Sequence, residues 1–231
     1  MSQLWERIEI TDGRPSLRAD GRSVADVIQR LESGESASAV ADGRPLDLIA
    51  ALAFAALGDD SSTGPALIQR PPVRPALAVA LSEDGVGQLF PAASRPDRLA
   101  LLAGLLQVHD FWSASHEAAQ EADDLGERRF SAYWHGVAHR REPDPGNASY
   151  WFRRVGKHPL FPTLADAART ELENHGDERW TARLIGSGAW DPFALIDLCS
   201  GARPGTRERT LARRLQRLEM KLLLEATATA L

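Results

Sequence analysis

The chain has 231 residues, of which 43% are apolar and 26% charged, with a formal net charge of −5. These are ordinary values for one sizeable domain, or for a small domain joined to a larger one, and no stretch approaches the roughly 20 apolar residues needed to span a bilayer. The charge is uneven: residues 1–60 hold eleven acids against six arginines, whereas residues 128–158 hold seven cations against Glu142 and Asp144.

Met1 to Ile10 carries Glu6, Arg7 and Glu9, which does not match a secretion signal, and the one cysteine, Cys199, has no internal disulfide partner. Both point to a soluble, cytoplasmic protein with no membrane partner. From Ser23, the spacing of Val24, Val27, Ile28 and Leu31 predicts a helix capped by Ser23 and closed by Gly34. Ser36 caps a short second helix, and Leu46, Ile49, Ala50, Ala53, Phe54 and Leu57 mark a third, entered through Pro45. Asp59 to Thr63 and the Pro-rich run to Pro75 read as a flexible, then extended boundary near residues 58–75. Two short apolar runs, 76–81 and 86–90, have no clear assignment.

Ser94 with Pro96 and Asp97 starts what reads as the longest helix, from Arg98 toward Asp124. Further helices are expected over 131–141, over 147–155 closed by Gly156, from a cap at Thr163, from Asp191-Pro192 to Cys199, and from about Thr206 to the end. Cys199 falls on an apolar face and reads as a core residue. The expected fold is all-α: a three-helix, helix-turn-helix-like module in residues 1–60, a linker and wrapping segment in 61–96, and a larger His, Trp and Arg-rich helical domain in 97–231.

Two constellations bear chemistry. His135 and His139 are one helical turn apart, so both imidazoles leave one face and could share a divalent metal. No Glu follows His135, which excludes the zinc-protease motif. On the preceding helix His109, His116 and Gln120 share a face, so antiparallel packing would bring three or four histidines together. The structural alternative is that these histidines bond carboxylates and carbonyls in a polar core layer. The second constellation runs from His139 through Arg140, Arg141, Glu142 and Asp144 to Asn147 and then Tyr150-Trp151-Phe152-Arg153-Arg154, with Trp134 upstream. Arginine forks suit carboxylate or phosphate, aromatic faces suit stacking, and Glu142 or Asp144 could serve as acid or base. The alternative is a buried network in which Arg140 or Arg141 pairs with a nearby acid while Trp134 and Trp151 fill the core. No nucleophile elbow, phosphate loop or dinucleotide fingerprint occurs.

The stretch Trp134-His135-Gly-Val-Ala-His139-Arg-Arg-Glu-Pro-Asp144, with Gly146-Asn147 and Tyr150-Trp-Phe-Arg-Arg-Val-Gly156, resembles a bacterial family of uncharacterised helical proteins with a W-H-x-x-x-H-R-R-E-x-D signature. The resemblance covers roughly residues 98–200 and brings no activity with it. Residues 17–57 are similar to small helix-turn-helix proteins of antitoxin-like bacterial operons, which implies a DNA-binding or protein-docking unit. Here Ala19-Asp20-Gly21-Arg22 replaces that family's Gly-Thr-Arg run, and the acidity of the unit favours docking or homo-oligomerisation over phosphate contact.

The functional expectation is a metal-dependent, hydrolase-like enzyme on a small anionic ligand. His116, His135 and His139 hold the metal, Arg140 or Arg141 steadies the anion, and Glu142 with Asp144 supplies the base. Asn147, Trp134, Trp151 and Arg153 line the pocket. The alternatives are a ligand sensor reporting to the N-terminal module, and an antitoxin-like or DNA-associated regulator with a structural His and Arg network.

Overall fold

In the computed structural model, which describes residues 4–58 and 64–231, the chain forms twelve α-helices and one two-stranded hairpin. Mainly α is therefore the class, with one correction. Ile8–Thr11 (β1) pairs antiparallel with Arg14–Leu17 (β2), with Ile8 opposite Leu17 and Thr11 opposite Arg14. The turn between them is Asp12-Gly13, both at positive φ (50° and 74°), the geometry that matches a tight turn to the strand twist.

Val24–Glu32 (α1) and Ala37–Ala41 (α2) start as expected, Ser23 accepting from the Asp26 amide and Ser36 from that of Ala39. Pro45–Leu57 (α3) is enclosed: Asp47 through Ala53 are all buried. It packs on α1 and α2 and also on Arg95–Val108 (α5) and Arg207–Ala228 (α12), so one hydrophobic core runs from Leu4 to Ala228. The flexible stretch expected from Asp59 falls on residues 59–63, outside the described residues. Residues 76–90, unassigned from sequence, contain a 3-10 turn and Glu83–Leu89 (α4), which Ser82 caps.

The long helix expected over 98–124 is two helices. Val108 ends α5, and Trp112–Asp124 (α6) doubles back along it, so that Ser115 Oγ–H donates to the Ala103 carbonyl at 2.9 Å and Arg95 meets Glu121 at 2.6 Å. The reversal is made at Asp110, a non-glycine residue at φ 66°, whose carboxylate receives the Arg141 guanidinium. Such a conformation is disfavoured for a residue with a Cβ and persists where tertiary contacts fix it.

Ser131–Arg141 (α7) is the central helix, with every one of its eleven residues buried. Two glycines let it be approached closely: a Cβ at Gly136 would lie 2.9 Å from the Phe152 ring, and one at Gly104 on α5 would lie 2.7 Å from the ring of Trp134. Pro145–Val155 (α8) follows, its N-cap Asp144 accepting from the Asn147 amide, and Phe161–His175 (α9) begins two residues before the Thr163 cap expected. Glu178–Ile185 (α10) was not foreseen, whereas Pro192–Gly201 (α11) and α12 start at the expected Asp191 and Thr206 caps. Among the described residues no helix is long and apolar enough to cross a membrane.

Candidate metal centre

The hairpin of α5 and α6 lays the first half of α6 along α7. That packing sets His116 of α6 opposite His135 and His139, one turn apart on α7. Nε2 of His135 is 2.8 Å from Nε2 of His116, and one ligand atom from each of the three rings falls within 4.8 Å of the others. The His135 and His139 rings are near-parallel at 5.0 Å, and His116 stands edge-on to both. His135 and His139 are buried, and His116 is half-buried.

His139 Nδ1–H donates to Glu142 Oε2 at 2.9 Å. A carboxylate on Nδ1 orients the ring and selects, for the neutral imidazole, the tautomer whose lone pair is on Nε2, the arrangement found behind metal-bound histidines. His135 has no such support, since its Nδ1 is buried without a hydrogen-bond partner. Its ring is held instead by stacking on Trp151, with centroids 3.8 Å apart. Trp112 stacks on His116 at 5.2 Å and anchors its own indole N–H on the Ala138 carbonyl at 2.9 Å. Behind Trp151, the Arg154 guanidinium lies 5.1 Å from the ring and bonds Asp123 Oδ2 at 2.7 Å.

Burial, then the proximity of His116, His139 and Arg154, lowers the pKa of His135 to about 3. His116 is shifted downward too, by burial first and then by His139. Both rings are therefore neutral near neutral pH, the protonation state that a metal ligand requires.

The other expected site residues lie elsewhere. The break after α5 removes His109 from the face of His116: it is buried and donates Nε2–H to the Leu52 carbonyl at 3.1 Å, and burial lowers its pKa to about 4. Gln120 bonds Asp124 on its own helix. Arg140 and Arg141 do not present free forks to a ligand. Arg140 pairs with Glu219 at 2.5 Å, a carboxylate that also accepts from the Tyr133 hydroxyl at 3.0 Å and the Trp190 indole at 3.3 Å. Arg141 binds Asp110 and the carbonyls of Ala66 and Gln107. Neither partner is one of the nearby acids that the sequence suggested.

Trp134 turns to the far side of α7, where its indole donates to Thr227 Oγ1 at 3.2 Å. Glu142 is the partner of His139, which makes it an orienting group. With His139, Glu142 and Asp144 form a second close group of potential ligands, but Asp144 is taken by the Asn147 amide at 3.0 Å and its side chain at 2.8 Å. Arg153 is exposed, with no ion pair among the described residues. Sequence reasoning placed Arg154 in the second constellation but missed Trp112 and Asp123 as neighbours of the three rings. Helical spacing carried the signal for Trp112, which precedes His116 by four residues, as it does for Arg154, three residues after Trp151. Cys199 is buried, and burial pushes its thiol up to about 11, which removes it as a nucleophile near neutral pH.

Comparison with protein-family models, with curated proteins and with solved structures finds no match for this chain.

Proposed function

We propose that the chain is a divalent-metal protein of hydrolase-like type, with zinc as the first candidate, held by His116, His135 and His139. The observation that carries this reading is the convergence of three imidazoles from two helices, one of them already oriented by a carboxylate. Zinc takes nitrogen ligands at about 2.0–2.1 Å, and sites with three protein ligands leave a fourth position for water, whose pKa the metal lowers to about 7. His135 and His139 supply two ligands from one rigid helix, and His116 closes the triangle. Glu142 orients His139 and raises its basicity, in place of the general-base role expected from sequence.

A structural role for the three rings is the competing reading. It accounts for the hydrogen bond between His135 and His116, and the buried His135 Nδ1 is unpaired in either reading. Protein purified without a histidine tag should contain close to one equivalent of metal, and His135→Ala should lose it while keeping its helical circular dichroism. Metal-free wild-type protein that takes up no added zinc would exclude the proposal.

A further inference from the structure

Beside the metal centre is a cleft of about 580 Å³ with aromatic and proline walls, Pro71 and Pro72 on one side and Phe111 and Trp112 on the other. Its charged groups are Arg70 and Asp110. Asp110 is neutralised by Arg141, whereas Arg70 is exposed and has no carboxylate or hydrogen-bond partner among the described residues. The cleft therefore carries one free guanidinium and no free acid. The surroundings reinforce its sign: Arg213 on α12 donates to the Gly64 carbonyl at 2.5 Å and has no carboxylate partner among the described residues, and burial, then the charges of Arg70 and Arg209, lowers its pKa.

Trp112 is the wall common to the cleft and the metal centre, since its ring stacks on His116 and its indole N–H is tied to α7. One turn of α6, about 6 Å of rise, separates Trp112 from His116. We propose that this cleft binds the substrate of the metal centre, an oxyanion on a flat apolar group, with the anion on Arg70 and the apolar part against Phe111, Trp112 and the two prolines. A guanidinium fork matches the planar edge of phosphate or carboxylate, and the fixed indole face accepts a ring. This deepens the metal reading and depends on it for the role of the ligand, though not for its binding.

The test is calorimetric titration of the full chain, metal-free and zinc-loaded, with phenyl phosphate and with benzoate. Arg70→Gln should weaken binding of the preferred probe about tenfold, the effect of losing one charge-assisted hydrogen bond, and leave zinc content unchanged. Arg169→Gln, on the surface of α9, controls for general charge and should bind as wild type does. Equal binding by wild type and Arg70→Gln, or no binding of either probe at millimolar concentration, overturns the proposal even if zinc is held. Arg70-dependent binding by a chain that takes up no zinc would leave the cleft standing as a ligand site and sink the metal reading alone.

Discussion

Nε2 of His135 and Nε2 of His116 face one another at 2.8 Å, a separation that two neutral imidazoles reach with one proton between them. Two nitrogens on a tetrahedral zinc at about 2.0–2.1 Å are about 3.3 Å apart. The pair is thus a hydrogen-bonded contact that needs to open by about half an ångström to admit the ion. His116, half-buried, is the ring placed to move, because His135 is buried and stacked on Trp151.

Glu142 should matter to the metal more than to the fold. Its side chain is over a third exposed and its bond to His139 is local, so Glu142→Ala should keep the thermal transition nearly unchanged. Zinc affinity, measured by competition with a chromophoric chelator, should fall about 10–100-fold, as when a carboxylate behind a ligating histidine is removed. Unchanged affinity would separate Glu142 from the site.

The Arg140–Glu219 pair has the opposite character. Both side chains are essentially inaccessible, and Glu219 also satisfies Tyr133 and Trp190. Glu219→Leu leaves a buried guanidinium without its counter-charge and should cost about 3–5 kcal/mol in urea denaturation. A loss below about 1 kcal/mol would mean that the pair is hydrated in solution.

Gly104→Ala tests the approach of α5 to α7. Alanine gains about 1 kcal/mol in helix propensity, but the new methyl would sit 2.7 Å from the Trp134 ring, which is fixed through Thr227. Overpacking of about 1–3 kcal/mol should win, giving a net loss of stability. A stabilised variant would show that the ring can yield.

Acid stability should follow the buried histidines. His109 has its pKa lowered from 6.5 to about 4, so between these values the unfolded chain binds more protons than the folded one. Its contribution is full above pH 6.5 and is lost progressively as pH falls toward 4, on the order of 3 kcal/mol in all. His116, His135 and His158 are shifted in the same direction, so His109→Asn should flatten the pH dependence of unfolding without abolishing it. The same slope in both proteins would contradict a neutral, buried His109.

The histidine triangle was half legible. Two histidines four residues apart need only helical periodicity to share a face, and His116 followed from assuming that its helix packs antiparallel to theirs. What defeated the sequence was non-local. The break at Asp110 depends on Arg141, 31 residues away, and the partner of Arg140 is Glu219, 79 residues away. No local pattern announces either, so the sequence left Arg140 and Arg141 open between ligand-binding forks and a buried network; they are interior ion pairs, with partners other than the nearby acids. The hairpin is a different kind of miss. Asp12-Gly13 after the alternating Ile8-Glu9-Ile10 is a local signal, but a short one beside the stronger helical stripes that follow.

The most direct test of the central claim is X-ray absorption spectroscopy at the zinc edge on untagged, zinc-loaded protein. Three imidazole nitrogens and one or two oxygens at about 2.0–2.1 Å, with one imidazole lost in His116→Ala, are the expected result. An oxygen-only shell, or a spectrum unchanged by His116→Ala, would contradict a three-histidine centre.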